Sequence, residues 1–265
     1  MALVACVQMR STGNVDDNLA QLDARVARAA ARGAVLVATP ENTTMLSTPA
    51  DKVARAEPLD GPTHRRLGEI AARHRTWLLV GSVAERCDDS HCYNTSLLFD
   101  ERGQLVAHYR KIHLFDIDLP DGTRHAESAH VAPGRDVVVV DTPVGRLGLS
   151  ICYDLRFPEL YRHLVDAGAE LISVPSAFTM TTGRDHWHVL LRARAIETQC
   201  FVLAPAQEGA HGHGRQSYGH SLVVDPWGTI LAECADGPGM ALAEIDVTRV
   251  RDIRAAMPVA RHRRL

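Results

Sequence analysis

The chain has 265 residues, 46% of them hydrophobic, and a formal charge of −3 at pH 7. That content supports one large α/β core or two small ones, and the near-neutral balance gives no electrostatic reason to expect nucleic acid or an anionic membrane as a partner. No segment approaches the roughly 18 consecutive apolar residues of a membrane helix, and the one basic run, Arg261-His-Arg-Arg264, reads as a solvated tail.

The opening MALVACVQMRS lacks a basic start and a long apolar stretch, so it reads as a strand, Leu3–Met9, and not as a signal peptide. Val15, Leu19, Leu22 and Val26 mark one face of a helix continuing to Gly33. Ala34–Thr39 is a buried-type strand that delivers Pro40-Glu41-Asn42 at its C-terminal end. A helix over about Pro62–Arg75 and a strand over Trp77–Ala84 follow. Tyr93–Phe99 and Gln104–His108 flank a hairpin signal, and residues 113–135, rich in His, Pro and Gly, read as irregular. Val137–Val140, Gly148–Cys152, a helix to about Ala167 and the strand Leu171–Pro175 come next. A long helix from about Asp185 to Thr198 precedes the strand Phe201–Pro205. Two turn signals then separate Ser221–Val224, Thr229–Glu233 and Met240–Asp246, and a short helix over about Val247–Met257 closes the pattern. Strands and helices alternate without a low-complexity linker, so a single α/β domain over residues 1–265 is the economical reading.

The six cysteines, Cys6, Cys87, Cys92, Cys152, Cys200 and Cys234, show no framework spacing. Free thiols in a reducing, cytoplasmic compartment are expected. Cys87 and Cys92 bracket His91, but no second pair follows, and a plain loop is expected there instead of a zinc knuckle.

Three groups sit at strand ends, where α/β proteins place function. Glu41 follows the apolar run AVLVATP; a carboxylate there needs solvent or a partner and suits general-base work. Lys111 lies in HYRKIHLF. Cys152 lies in GLSICYDLRFPEL, at a strand-to-helix corner where a helix dipole and a nearby cation would favour thiolate. Singly, each has an ordinary explanation: a packed core cysteine, and surface charges for the other two. Together they carry a pattern. ATPENTTM, HYRKIHLFD and SICYDLRFPEL resemble, in order, the three catalytic blocks of the nitrilase (carbon–nitrogen hydrolase) superfamily, and the likeness extends through SYGHSLVVDPWGTILAE to RVRDIRAAMPVARHRR.

The resemblance implies a four-layer α-β-β-α sandwich and a homodimer or larger homo-oligomer. It makes Glu41 the general base, Lys111 the cation at the oxyanion and Cys152 the nucleophile. Glu127, in HAESAHVAPG, becomes a further supporting acid, and the Tyr153 N–H a second oxyanion donor. A thioester route splits difficult amide hydrolysis into two easier steps and requires no metal or organic cofactor. A true nitrilase typically follows the nucleophile with Trp-Glu, where this chain has Tyr153-Asp154. A silent interaction module is disfavoured by the intact trio, and a papain-like or redox protein by motif order and the lack of Cys-x-x-Cys. HVLLRARAIETQCFVLAPAQ and RQSYGHSLVVDPWGT look closest to the deaminated-glutathione amidase branch, with ω-amidases of 2-oxo dicarboxylic acid monoamides as neighbours. By motif position Arg156 would take a substrate carboxylate, with Phe178 and Thr182 lining the acyl pocket; the ordinary alternative pairs Arg156 with Glu159 or another structural acid. His186 and His188, two apart on a helix, point to different faces, which disfavours a shared metal. His211 and His213 are expected in a glycine-rich loop without metal, and Trp187 and Trp227 as packing residues.

Overall fold

The computed structural model describes residues 1–118, 124–212 and 214–264. His213 and residues 119–123 of the irregular stretch lie outside them. The chain runs β1 (Ala2–Gln8), α1 (Val15–Ala30), β2 (Leu36–Ala38), α2 (Pro49–Ala54), α3 (Pro62–His74), β3 (Trp77–Arg86), β4 (Cys92–Phe99) and β5 (Leu105–Arg110). A small hairpin, β6 (Asp116–Asp118) with β7 (Arg124–Ala126), leads to β8 (Val139–Thr142) and β9 (Gly145–Leu149). Then come α4 (Pro158–Asp166), β10 (Leu171–Ser173), α5 (Met180–Thr198), β11 (Phe201–Ala204), β12 (Glu208–Gly212), β13 (Arg215–Tyr218), β14 (Leu222–Val224), β15 (Ile230–Glu233) and β16 (Gly239–Ile245). Two short helices, α6 (Thr248–Ala256) and α7 (Val259–His262), follow.

Two six-stranded sheets carry the fold, in the orders β16-β1-β2-β3-β4-β5 and β15-β14-β11-β10-β9-β8. Each has a parallel centre and antiparallel flanks. Alternation along β1 explains the layering. Val4 and Cys6 face a core shared with Leu147, Leu149, Ile172 and Leu203 of the second sheet. Ala5 and Val7 face Leu19, Leu22, Val26, Leu67 and Ile70 of α1 and α3. Leu160, Leu164, Trp187 and Leu191 cover the second sheet with α4 and α5. The result is the four-layer α-β-β-α sandwich. Because the central strands are buried on both faces, they read in sequence as continuous apolar runs.

Several local expectations need correction. The strand before Cys152 stops at Leu149, and Cys152 opens a 3₁₀ turn, Cys152–Arg156, with φ of +48°. Helix α5 starts five residues earlier than its apolar period suggests, because Thr179 caps it by accepting the Thr182 N–H. The glycine-rich loop is the hairpin β12–β13, and Cys92 begins strand β4 instead of lying in a loop. Trp187 is a packing residue, fully buried, whereas Trp227 is 59% exposed.

Candidate active site

Strand β2 ends directly before the loop that carries Glu41. That loop is tied back on itself: the Thr43 hydroxyl donates to Pro40 O (2.6 Å) and its N–H to Ser82 O (3.0 Å). Gly81 allows the approach, since a Cβ there would lie 2.1 Å from Thr39 O. Lys111 follows β5, its N–H donating to Asn94 O (2.9 Å). Cys152 enters from the second sheet, its N–H held by Pro175 O (2.9 Å). One sheet thus supplies the acid and the cation, and the other supplies the sulfur.

These groups meet in a single buried network. Lys111 Nζ donates to Glu41 Oε1 (3.1 Å) and to Glu127 Oε2 (2.8 Å). Asn94 Nδ2 donates to Glu41 Oε1 (2.9 Å) and to Glu127 Oε1 (3.1 Å). Glu41 Oε2 accepts the Ala177 N–H (3.0 Å), and Glu127 Oε2 accepts the Phe115 N–H (2.7 Å). Burial alone would push the Lys111 ammonium down, but Glu127 and Glu41 overcome it and hold its pKa well above the ordinary lysine range. Burial likewise opposes ionisation of Glu127, yet Lys111 and the N–H donors bring its carboxyl down to about 2. The pair thus favours Glu127 as the anion and Lys111 as the cation. The two carboxylates are not equivalent: Glu41 alone also borders the sulfur, together with the Ala177 N–H.

The thiolate expectation at Cys152 is overturned. Burial, then the Glu41 carboxylate, raise the thiol pKa well above its ordinary value, against a smaller opposing pull from Lys111. No α-helix begins at the sulfur either; α4 starts only at Pro158. These pulls favour the thiol at rest, with the Glu41 carboxylate beside it.

The cavity in front of this cluster measures about 700 Å³, and its walls include Glu41, Lys111, Glu127, Cys152, Tyr153, Arg156, Phe178 and Thr182. All the sequence-selected positions are thus brought together. Among the described residues the Tyr153 N–H has no hydrogen-bond acceptor. Among them, too, Arg156 meets His186 Nδ1 (3.3 Å) and not Glu159, with its guanidinium 5.8 Å from the Tyr153 ring and 5.5 Å from that of Phe178. Thr182 is less free: its hydroxyl shares a hydrogen bond with Thr179 (2.9 Å) at the start of α5. Five cationic side chains, Lys52, Lys111, Arg124, Arg156 and Arg215, line the cavity against two carboxylates. That surplus suits an anionic ligand.

Two residues escaped sequence reading. Asn94 bridges both carboxylates from within a strand that otherwise signals only packing. Asp154, fully buried, accepts from the Tyr109 hydroxyl (2.7 Å), the His113 N–H (3.0 Å) and the Ile151 N–H (2.8 Å). It pins the cysteine turn to both flanks of Lys111, and its place two residues after Cys152 was the available signal.

Residues 3–255 match the family model described as carbon-nitrogen hydrolase. A deaminated glutathione amidase of Synechocystis sp. is 43% identical over 265 residues, covering 98% of this chain and 97% of that one. A deaminated glutathione amidase of Mus musculus is 44% identical, covering 100% of this chain and 84% of the relative. The crystal structure of Saccharomyces cerevisiae Nit3, a member of branch 10 of the nitrilase superfamily, superposes with a TM-score of 0.89 at 32% identity, covering 100% of this chain and 97% of that one. With the whole sandwich and its acid–lysine–cysteine cluster accounted for, the chain belongs to the carbon–nitrogen hydrolase family of the nitrilase superfamily.

Proposed function

We propose that the protein hydrolyses deaminated glutathione at its 2-oxoglutaryl amide bond, giving 2-oxoglutarate and Cys-Gly, through a thioester on Cys152. The observation that carries the reaction is the convergence of Glu41, Lys111 and Cys152 on one buried network at the wall of one cavity. The substrate rests on the relatives named for that amide and on the cationic surplus of the cavity.

The amide carbonyl docks with its oxygen toward Lys111 Nζ and the Tyr153 N–H. Glu41 accepts the Cys152 proton as sulfur attacks, and the tetrahedral oxyanion is stabilised by those two donors. Glu41 then returns the proton to the departing nitrogen, the C–N bond breaks, and a thioester remains. A water molecule, deprotonated by Glu41, attacks the thioester; its collapse releases the acid and restores the thiol. Glu127 holds Lys111 charged and in place throughout. Arg156, beside Phe178, receives the carboxylate of the 2-oxo acid half as a bidentate partner. Thr182 lines the same end.

The chain acts as a single domain, as the core shared by both sheets suggests. Val189 and Ile196 on α5 are 67% and 47% exposed, an apolar face that supports a homodimer or larger homo-oligomer. Among the described residues no helix is long and apolar enough to cross a membrane, and all six cysteines are free, which fits a cytoplasmic setting.

The test compares kcat/KM for deaminated glutathione, 2-oxoglutaramate and a simple aliphatic amide, with intact-mass detection of the acyl-enzyme. Deaminated glutathione should be preferred, and Cys152→Ala should abolish turnover and adduct while leaving the circular dichroism unchanged. A preference for 2-oxoglutaramate moves the protein to ω-amidase chemistry, and a preference for the aliphatic amide overturns the 2-oxo acid assignment. A tenth of wild-type activity surviving in Cys152→Ala would remove that residue as nucleophile.

A further inference from the structure

Away from the hydrolytic cavity, three elements converge on one carboxylate oxygen. His188 Nε2, from α5, lies 2.8 Å from Glu233 Oε1 at the end of β15. His220 Nδ1, just before β14, lies 2.8 Å from the same oxygen. The three potential ligand atoms all fall within 4.8 Å of one another. We propose that His188, His220 and Glu233 form a binding site for a divalent transition metal of the zinc type, with an open position for water.

The donor set fits that class. Two borderline imidazoles with one carboxylate form a ligand set that zinc accepts, and three protein ligands plus water complete a tetrahedron. Bonds of about 2.0–2.1 Å put tetrahedral ligand edges near 3.3 Å. The two 2.8 Å contacts therefore need open by only about half an ångström to admit an ion. The three side chains are 25–32% exposed, so an ion can enter, and none is buried beyond reach.

The site is also built for one geometry. His220 holds φ of +57°, a left-handed conformation that is uncommon for a non-glycine residue. Its carbonyl accepts the indole N–H of Trp187 (2.8 Å), and its ring stacks on Tyr218 with centroids 4.5 Å apart. Its other nitrogen, Nε2, lies 3.5 Å from Asp236 Oδ1. Without an ion Nδ1 donates to Glu233; with one bound, a proton on Nε2 turned toward Asp236 would leave Nδ1 with a free lone pair, the arrangement in which an outer acid orients a metal-bound histidine. His186, two residues before His188, turns to Arg156 instead and takes no part.

A bound ion would staple α5 to the β14–β15 hairpin. Trp187, one residue before His188, packs on Phe178 at 5.0 Å, so the staple would also brace one wall of the cavity. The hydrolytic steps do not pass through it.

The experiment uses the full chain carrying Cys152→Ala, which removes the reactive thiol as a competing ligand. Zn²⁺ alone is titrated calorimetrically in a non-chelating buffer, and Co²⁺ serves as the spectroscopic probe. One equivalent of Zn²⁺ per chain is expected. Co²⁺ should give d–d bands without a sulfur-to-cobalt charge-transfer band. His188→Gln and Glu233→Gln should each weaken binding by about a hundredfold or more, and Asp236→Asn by about tenfold. Glu233→Gln is isosteric and carries the test should His188→Gln fail to fold by circular dichroism. Wild-type affinity and stoichiometry in Glu233→Gln, no binding at all to the parent chain, or a sulfur-to-cobalt band would overturn the site.

Discussion

Glutamine at position 127 tests the division of labour between the two buried carboxylates. Among the described residues every hydrogen-bond partner of the Glu127 carboxylate is a donor: Asn94 Nδ2 at 3.1 Å on one oxygen, Lys111 Nζ at 2.8 Å and the Phe115 N–H at 2.7 Å on the other. An amide nitrogen in either place would face a donor, so Glu127→Gln removes a charge and misplaces a hydrogen bond. The descent of the carboxyl from 4.5 to about 2 corresponds to about 3 kcal/mol. Breaking one side of a buried ion pair costs about 3–5 kcal/mol by an independent route. The sign follows from a depressed folded-state pKa. The contribution is complete above the ordinary carboxylate value and is lost as pH falls toward about 2. Urea unfolding at pH 7 should place the variant about 3 kcal/mol below wild type, with the gap closing as pH is lowered through 4 and 3. Losing its anionic partner, Lys111 should lean on Glu41 and, on the proposed reading, engage the base, so kcat should fall about a hundredfold with KM little changed. A stability gap independent of pH, or a wild-type kcat, would refute the reasoning.

Lys111→Ala should lower kcat by about two to three orders of magnitude, read in steady-state assays, because one oxyanion donor is lost; a wild-type rate would remove Lys111 from the reaction. Gly81→Ala should cost about 1–3 kcal/mol and lower Tm by several degrees, since its Cβ would press on Thr39 O and displace the Glu41 loop; an unchanged melting curve would show that the loop yields freely. Arg156→Lys keeps the charge but loses the two-pronged fork, so KM for 2-oxo acid amides should rise about tenfold or more while that for a neutral amide stays put. Equal effects on both substrates would release Arg156 from carboxylate recognition.

Much of the architecture was legible because its signals are local. The continuous apolar runs around Cys6, Val37 and Leu203 mark strands buried on both faces, and the Leu19–Leu22–Val26 stripe marks a helix lying on one of them. The start of helix α5 is hidden in the sequence for an equally local reason. Its first turn, Met-Thr-Thr-Gly, carries no apolar period, and only the Thr179 cap sets the boundary. Trp227 sits at the turn between β14 and the edge strand β15, and no periodicity distinguishes an exposed aromatic there from a packed one. The site divides in the same way. Glu41, Lys111 and Cys152 stand in recognisable blocks, whereas the Ala177 N–H has no side-chain signature. Asn94 acquires meaning only when β4 is placed between two carboxylates 33 and 53 residues away in sequence.

The protonation state of Cys152 runs against its sequence context: that context favours thiolate, whereas burial and the Glu41 carboxylate favour the thiol. A helix dipole and a nearby ammonium yield thiolate only where their pull outweighs desolvation and neighbouring anions. Here burial and the adjacent Glu41 carboxylate outweigh Lys111, because the ammonium is already shared between two acids. On the proposed reading, the sulfur therefore becomes anionic only as a carbonyl arrives. Negative charge then moves from Glu41 through sulfur to the new oxyanion, which lies nearest Lys111 and the Tyr153 N–H. The same ammonium that fails to ionise the resting thiol is thus positioned where charge develops, so its stabilisation is spent on the transition state and not on the ground state.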